Sequence, residues 1–252
     1  MVNDALVTAA SGWLHLVLDV PRAGWGESIA FWSSVTGWAA SDPYGELQQF
    51  VTLHPAADDA WLKLQALDGG PRVHLDLDTR DQSTAVECSI HAGARPAWRY
   101  GEVEVMRSPG GLLFCYTRED HPRRFARTDL DGVLDQVCLG IPAPRWYAEL
   151  AFWQALTGRE LEHGLREEFA FLGDPDPHGP LRILLQRLDS TDGNVRAHPD
   201  FAVADRDAQT ARHVNLGAQV LNVMDRWTVM RAPDQHIYCL TDRDATTGRV
   251  RR

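Results

Sequence analysis

The feature that most constrains this fold is an internal repeat, because the second half of the chain restates the first half in the same order. The early matches keep a shift of 121 residues and the later ones a shift of 124, which leaves a three-residue insertion around 192–195. The repeated positions are Phe31-Trp32 with Phe152-Trp153, Thr36-Gly37 with Thr157-Gly158, Gln65 with Gln186, His74 with His198, Val105-Met106-Arg107 with Val229-Met230-Arg231, and Cys115 with Cys239. Since this period is too long for a solenoid, each copy is predicted to be a domain.

The boundary between the copies is expected near residues 120–131, where Pro122, arginines and aspartates make the chain polar and irregular. The predicted domains are therefore residues 1–126 and 127–252. The densest basic stretch, 118–127, is interrupted by Glu119 and Asp120, so we interpret it as a solvated linker rather than a binding patch.

Each copy shows a mixed pattern of strands and helices. Alternating leucines at 14, 16 and 18 predict a first strand, and Gly37 fits the end of the helix that follows. The predicted elements of the first copy are a strand at 13–20, a helix at 24–36, strands at 46–53, 61–66 and 73–78, a helix at 81–92, and strands at 102–107 and 112–117. We interpret each copy as two strand–helix–three-strand (βαβββ) modules, which predicts an α+β fold.

Composition limits the function classes. The formal net charge of −10 argues against a nucleic-acid partner. The sequence contains no run of about 18 apolar residues, so no membrane span is predicted. Residues 1–11 lack the basic start of an export signal. The four cysteines form no Cys-x-x-Cys pair. Reduced thiols in the cytoplasm are therefore expected.

Four segments of the first copy carry a recognisable pattern. They are the strand Trp13-Leu-His-Leu-Val-Leu-Asp-Val20, the Phe31-Trp32 helix, the strand Arg72-Val-His-Leu-Asp-Leu-Asp78, and the hairpin Val105-Met-Arg-Ser-Pro-Gly-Gly-Leu-Leu-Phe-Cys115. Together they resemble the glyoxalase/bleomycin-resistance/dioxygenase superfamily, also called the vicinal oxygen chelate superfamily. The resemblance covers nearly the whole chain. It implies that the sheet of each copy curls around a cup, with the helices outside, and that the cup binds a small organic molecule.

The resemblance also implies four ligand positions in each cup, on the first and last strand of each module. In the first copy these positions hold His15, Gln65, His74 and Cys115, and in the second they hold Gln136, Gln186, His198 and Cys239. Strand alternation places His15 opposite the leucine row and His74 opposite Val73 and Leu75.

Glutamates are expected at one or two of these positions in metal enzymes of the superfamily, but here the first set offers none. Two imidazoles and a thiolate, with His15 and His74 as the metal ligands, fit Zn²⁺ or Ni²⁺ better than Mg²⁺ or Mn²⁺. The alternative, which we favour from the sequence, is that no metal is bound and that polar residues line a pocket for an organic ligand. The second cup has one histidine and is less suited to a metal.

Two classes of function remain open. The first is a lyase, isomerase or dioxygenase in which His15 and His74 act as acid–base groups. The second is a metal-free binding or sequestering protein of the bleomycin-resistance type without turnover. Trp13 and Trp61 are expected to line the first cup as aromatic walls in either case, although both could instead fill the core.

Assembly is the last expectation. Two covalently linked copies can form internally the contact that two separate chains would form, because a short tether gives a high effective concentration. We therefore expect a monomer with internal pseudo-two-fold symmetry, and a dimer of tandem chains is the alternative.

Overall fold

A computed structural model describes residues 13–119, 123–125, 132–164, 166–173 and 179–244. In these ranges each copy forms one eight-stranded mixed sheet with two helices, which confirms the α+β fold and the two βαβββ modules per copy. No helix among the described residues has both the length and the apolar character needed to cross a membrane.

The first copy begins with a strand whose residues are nearly all buried, followed by a single 3₁₀ turn and a helix that ends at a left-handed Gly37. Its elements are β1 (Leu14–Pro21), α1 (Trp25–Thr36), β2 (Ala39–Ala40), β3 (Phe50–His54), β4 (Leu62–Leu67), β5 (Arg72–Thr79), α2 (Gln82–His91), β6 (Arg95–Tyr100), β7 (Val103–Arg107) and β8 (Leu113–Arg118). The strand order is β2-β3-β4-β1-β5-β8-β7-β6.

The second copy repeats this plan element by element. Its elements are β9 (Val133–Pro142), α3 (Trp146–Thr157), β10 (Leu161–His163), β11 (Phe169–Leu172), β12 (Arg182–Leu188), β13 (Arg196–Ala202), α4 (Arg206–Asn215), β14 (Gln219–Val223), β15 (Trp227–Arg231) and β16 (Ile237–Thr241). The strand order, β10-β11-β12-β9-β13-β16-β15-β14, matches that of the first sheet position by position.

Two predicted ranges differ from the structure. The strand expected at 46–53 begins only at Phe50, because Gln48 has a φ of 51° and closes a turn there. The edge strands β2 and β6 were not predicted. Nearly every residue of β6 is exposed, so its sequence carries no alternation between buried and exposed positions.

Tertiary contacts divide the chain into two compact units, and each unit takes residues from both copies. Unit 1 contains the described residues of Met1–His15, His74–Arg123 and Cys138–Ala197, and unit 2 contains those of Leu16–Val73, Arg124–Val137 and His198–Arg252. The domains 1–126 and 127–252 describe the sequence repeat and not these compact units, and they stay a prediction.

Each unit has its own aromatic core. In unit 1, Phe114 of β8 packs against Phe152 and Trp153 of α3, with ring centroids 5.7 and 5.8 Å apart. In unit 2, Trp32 of α1 packs against Tyr238 of β16 at 5.4 Å and is stacked with Phe201 at 6.4 Å. Trp32 and Trp153 are both fully buried, as expected of core residues.

Candidate functional site

Strand β5 places three polar side chains of the first copy on one face. His74, Asp76 and Asp78 alternate with Val73, Leu75 and Leu77, and all of them are buried. The ladder between β5 and β8 pairs Asp76 with Cys115, so the Cys115 side chain shares this face. Its neighbour Tyr116 turns the other way and hydrogen-bonds to Ser89 of α2. The polar side chains therefore lie on the face of the sheet opposite that helix.

Asp78 is the centre of the first group of contacts on this face. Its Oδ1 lies 3.2 Å from Nε2 of His15 and accepts a hydrogen bond of 2.7 Å from the Thr117 hydroxyl. Its Oδ2 is held by the Arg123 guanidinium, with Nε and one terminal nitrogen both at 2.7 Å.

These contacts decide the charge of Asp78. Burial alone would raise the pKa of this carboxyl, but the hydrogen bond and charge of His15, the Thr117 hydroxyl and the Arg123 charge together lower it well below its usual value. Asp78 is therefore ionised at neutral pH, although its side chain has almost no contact with solvent.

His74, Asp76 and Cys115 form a second group on the same face. Nε2 of His74 lies 3.6 Å from Oδ1 of Asp76, which is too long for a good hydrogen bond. One ligand atom from each of the three residues lies within 4.8 Å of the other two. An imidazole, a carboxylate and a thiol thus converge on one small volume.

In the second copy the positions shifted by 124 hold His198, Asp200 and Cys239. Nε2 of His198 lies 3.3 Å from Oδ1 of Asp200 and 3.6 Å from the sulfur of Cys239. The ladder between β13 and β16 pairs Asp200 with Cys239, as Asp76 is paired with Cys115.

Gln136, at the position of His15, donates a 2.7 Å hydrogen bond to the other carboxylate oxygen of Asp200. The buried Arg243 approaches the same oxygen at 3.7 Å and also binds Asp135. Burial would raise the pKa of Asp200, but His198, Arg243 and Gln136 outweigh it and lower that pKa. This buried carboxyl is therefore also ionised at neutral pH.

The remaining predicted site residues have different surroundings. Trp13 is buried, and its ring meets that of His15 edge-on at 6.3 Å. The half-buried Gln65 lies in β4, paired with Asp19 in the ladder. Gln186 lies in β12, where its Oε1 accepts from the Cys138 thiol at 3.7 Å.

Trp61 is not brought to these groups. Its indole N–H donates to the backbone carbonyl of Leu134 at 3.0 Å, and its ring packs against Trp38 and Phe125. With 1% of its surface exposed, Trp61 is placed as a core residue rather than as a ligand-facing wall.

The comparisons with known proteins now identify the family. The sequence model of the glyoxalase-like domain matches residues 15–117 and again residues 136–241. The chain belongs to the glyoxalase-like domain family. Both copies are therefore vicinal oxygen chelate domains, as the resemblance implied. No curated protein sequence matches the chain significantly.

Solved structures share the glyoxalase-like fold at low sequence identity. A Mn(II)-bound glyoxalase from Novosphingobium aromaticivorans is 17% identical, with 93% of this chain and 82% of that chain covered and a TM-score of 0.61. The 2,3-dioxygenase LapB from Pseudomonas sp. KL28 is 14% identical, covering 93% of each chain with a TM-score of 0.60.

A homoprotocatechuate 2,3-dioxygenase from Brevibacterium fuscum is 13% identical, covering 96% of this chain and 75% of that one, with a TM-score of 0.62. The chain spans 49% of another match, a xylose isomerase-like TIM barrel/4-hydroxyphenylpyruvate dioxygenase fusion protein. At these identities the similarity shows the glyoxalase-like fold alone.

The donor chemistry tests whether a metal fits this glyoxalase-like site. Mn²⁺ prefers oxygen ligands, and the group of His74, Asp76 and Cys115 supplies one carboxylate beside an imidazole and a sulfur. A thiolate, an imidazole and a carboxylate are instead the ligands that Zn²⁺ takes in proteins. The residues present therefore fit Zn²⁺ and do not fit a site built for Mn²⁺.

Two site features escaped the sequence reasoning. The predicted ligand set contained no carboxylate, yet Asp76 joins His74 and Cys115 from two residues further along the same strand. The spacing His-x-Asp, present as His74-Leu-Asp76 and His198-Pro-Asp200, could have indicated this carboxylate from the sequence.

The second missed feature is Arg123. The stretch 118–127 was interpreted as a solvated linker, but the Arg123 side chain is only 18% exposed and binds Asp78. That part of the interpretation is wrong, because the buried carboxylate needs a cation. Nothing in the local sequence pairs Arg123 with a residue 45 positions earlier.

Proposed function

We propose that the first copy binds a small organic molecule on the polar face of β5 and catalyses a proton-transfer reaction on it, as a lyase or isomerase would. The observation that supports this most strongly is the His15–Asp78 pair, because a buried ionised carboxylate bonded to an imidazole is the arrangement that supports general acid–base catalysis.

The hydrogen bond defines the chemistry of His15. In the tautomer that donates Nε2–H to Asp78, Nδ1 is the basic nitrogen. This atom is buried, so the proposal requires the substrate to reach it inside the protein. The negative charge of Asp78 then stabilises the imidazolium formed when His15 accepts that proton. Arg123 and Thr117 fix the carboxylate and so orient the ring.

His74 adds the second predicted catalytic side chain. It lies on the same strand face, four residues before Asp78, and its Nε2 turns toward Asp76 and Cys115. We propose that this group receives the polar atoms of the substrate while His15 moves the proton. Trp13, edge-on to His15, supplies an apolar wall.

The family supports the broad class of reaction. Proteins with this fold include a glyoxalase and 2,3-dioxygenases. A dioxygenase, which oxidises its substrate with O₂, is therefore a separate enzymatic alternative to the proton-transfer reaction. The small molecule is the proposed partner, in a cytoplasmic protein that acts as a monomer. Light scattering at micromolar concentration should then give a mass near 28.2 kDa.

A metal-free binding protein without turnover, of the bleomycin-resistance type, is the second candidate. The absence of a carboxylate at the predicted positions 65 and 115 favours it, because Gln65 and Cys115 offer neither the base nor the hard ligand of a glutamate. The two candidates differ in turnover and agree on the binding face.

The deciding experiment uses two panels of compounds with adjacent oxygen atoms, 1,2-dicarbonyls and catechols. Binding is followed by calorimetry and turnover by absorbance, for the wild type and for His15→Gln. Loss of general acid–base catalysis should lower kcat about 10²–10⁴-fold while the dissociation constant changes little. His91→Gln, an exposed helix-end substitution, is the control and should leave both quantities unchanged.

Binding without turnover in the wild type would favour the second candidate. Turnover that survives His15→Gln would remove His15 from the mechanism. If no compound binds, and mass spectrometry of the purified protein finds no co-purified organic molecule, the proposed small-molecule function is wrong.

A further inference from the structure

We propose that the first copy recognises an aromatic anion at the outer end of its polar sheet face. Trp98 and Tyr100 receive the aromatic ring, and Arg95 and Arg107 receive the negative charge. These four residues are called the rim cluster below. The inference rests on the proposed function, because it names the class of molecule that the proposed small-molecule site takes.

The strand ladders place the rim cluster on the same face as the candidate site. Asp76 of β5 pairs with Cys115 of β8, Cys115 pairs with Val105 of β7, and Val105 pairs with Trp98 of the edge strand β6. Side chains that are directly paired across two strands point to the same side of the sheet. This row therefore leads from the group of His74, Asp76 and Cys115 to Trp98.

The face changes from buried to open along this row. Cys115 and Val105 are each 6% exposed, whereas Trp98 is 47% exposed. Tyr100, also 47% exposed, pairs with Val103 and lies two residues beyond Trp98 on the same side of β6. Trp98 is two strands from Cys115, which corresponds to about 10 Å. A molecule with two fused rings and a substituent spans that distance.

Two arginines stand directly opposite each other beside these rings. Arg95 of β6 pairs with Arg107 of β7, and both side chains are exposed. Neither forms an ion pair with another residue in the part of the chain that the structure describes. Like charges at directly opposite positions destabilise a strand pair. A carboxylate between the two guanidinium groups would remove that repulsion, and it matches their planar geometry.

The positive charge and the aromatic surface are in contact. The guanidinium carbon of Arg107 lies over the Trp98 ring, 5.7 Å from its centroid, which is within the range of a cation–π interaction. A ring that packs against Trp98 therefore places its substituent next to a cation. An aromatic carboxylate satisfies both parts of the rim cluster at once, and an uncharged ring or an aliphatic anion satisfies only one.

The second copy shows that the strand does not need these side chains. Its edge strand β14 pairs with β15 in the same register, with the bulge at the equivalent position. The equivalent residues, shifted by 124, are Gln219 for Arg95, Asn222 for Trp98, Met224 for Tyr100 and Arg231 for Arg107. Three of the four rim residues are thus particular to the first copy, which is also the copy that contains the His15–Asp78 pair.

The test measures binding of 2-naphthoate to the full-length protein by calorimetry. Two further probes separate the two parts of the ligand: 2-naphthamide keeps the rings without the charge, and cyclohexanecarboxylate keeps the charge without the aromatic ring. The expected result is one equivalent of bound 2-naphthoate per chain. The amide should bind about fivefold more weakly and the aliphatic acid about tenfold more weakly. Added salt should weaken binding of 2-naphthoate more than binding of the amide.

Variants that copy the second half of the chain assign the site. Trp98→Asn should weaken 2-naphthoate binding about tenfold, and Arg95→Gln should weaken it about fivefold. Arg99→Gln is the matched control, because Arg99 lies on the same strand but pairs with Glu104, on the opposite face. It removes the same charge and should leave the affinity unchanged. Circular dichroism monitors the fold of each variant.

The proposal is wrong if 2-naphthoate does not bind, or if folded Trp98→Asn and Arg95→Gln bind it as the wild type does. Equal affinity for 2-naphthamide would also overturn it, because the ligand would then not be recognised as an anion. A loss in Arg99→Gln as large as that in Arg95→Gln would show a general charge effect instead of a site.

Failure of this inference differs from failure of the proposed function. His15→Gln should abolish turnover without changing the affinity for 2-naphthoate, since the probe binds at the rim cluster. Where an aromatic acid is turned over, Trp98→Asn should raise KM and leave kcat nearly unchanged. Turnover that does not respond to either rim variant would retain the catalytic proposal and overturn the substrate class. Rim-dependent binding without any turnover would do the reverse.

Discussion

Asp78 connects three parts of the first copy through its buried carboxylate. It is fully buried and joins β1 through His15, β8 through Thr117 and the following segment through Arg123. Since each of these partners also loses contact with water, the carboxylate and its neighbours stabilise the fold only as a complete set.

The first prediction concerns this set. Asp78→Ala leaves the Arg123 charge buried without its carboxylate, so we expect a loss of about 3–5 kcal/mol in the free energy of unfolding, measured in urea. Arg80→Ala is the control, two residues along. It breaks the Arg80–Glu119 pair, in which the arginine is 77% exposed, so it should change the free energy of unfolding far less than Asp78→Ala does. Equal losses in the two variants would contradict the prediction.

His213 gives the second prediction at this scale. It is buried in α4, and its Nδ1 lies 3.0 Å from the Tyr238 hydroxyl. Burial, assisted by the charge of Arg212, lowers the pKa of His213 to about 4. The depressed pKa means that protonation favours the unfolded chain, whose histidine titrates near pH 6.5.

The stability that His213 contributes is therefore complete above about pH 6.5 and is lost as the pH falls toward 4. With a shift of about 2.5 pKa units the loss should be about 2–4 kcal/mol. His213→Gln should be less stable at pH 7 but should lose less of its stability between pH 7 and pH 4. The exposed His91→Gln variant should keep the wild-type slope, and a parallel slope for His213→Gln would count against the titration of His213.

Residue-level predictions from sequence were good for orientation and poor for partners. Strand alternation was enough to place His74 opposite Val73 and Leu75. It could not show that His15 meets Asp78 or that Asp76 joins Cys115, because these pairs are 63 and 39 positions apart. Such pairs are made by strand order, which local patterns do not contain.

At the scale of elements, the helices α1 and α3 each contain a buried tryptophan whose indole N–H donates to a carboxylate, but the carboxylate comes from a different element in each case. Trp32 of α1 donates its indole N–H at 2.8 Å to Asp234, in the hairpin after β15. Trp153 of α3 donates at 2.7 Å to Glu149, one turn earlier in its own helix, and Glu149 also accepts from the backbone of Gly110 in the hairpin after β7.

Alignment of the two copies shows that the acidic residue occupies a different position in each. Glu149 corresponds to Ser28 in the first copy, and Asp234 corresponds to Gly110. The carboxylate therefore comes from the helix in one unit and from the hairpin in the other. A side chain at Gly110 would meet Oε1 of Glu149 at 2.7 Å, so the two acids exclude each other.

The third prediction tests this exchange. Glu149→Ser should destabilise the protein by about 1–3 kcal/mol, because buried N–H groups lose their acceptor. Adding Gly110→Asp, in a Val195→Ala background that makes room for the new side chain, should restore about 1 kcal/mol by offering a carboxylate to Trp153. Gly110→Asp in the same background without Glu149→Ser should destabilise. Simple additivity of the two substitutions in a double-mutant cycle would contradict the exchange.

At the scale of the whole molecule, the repeat in sequence and the compact units in space do not coincide. Each unit needs residues from both copies, as the Phe114–Phe152 and Trp32–Tyr238 contacts show. A half of the chain alone therefore leaves exposed the aromatic surfaces that the other half covers. Exposed apolar surface of this kind drives association.

The fourth prediction follows for the separate halves 1–126 and 127–252. Expressed alone, each half should self-associate or remain partly unfolded, and when expressed together they should form a one-to-one complex. Size-exclusion chromatography with light scattering gives the masses, with the intact chain at 28.2 kDa as reference. A half that is monomeric and unfolds cooperatively would show that the sequence domains are independent.

The sequence by itself determined the repeat and the α+β elements, and strand alternation placed His74 opposite Val73 and Leu75. These depend on spacing along the chain, through strand alternation, helix ends and the constant shift between the copies. The sequence did not predict edge strands such as β6, because an exposed strand needs no alternation of apolar and polar residues. Only the tertiary structure decided the rest. The Arg123–Asp78 pair, the convergence of His74, Asp76 and Cys115, and the composition of the two units all depend on which buried surfaces and charges meet after distant strands have paired.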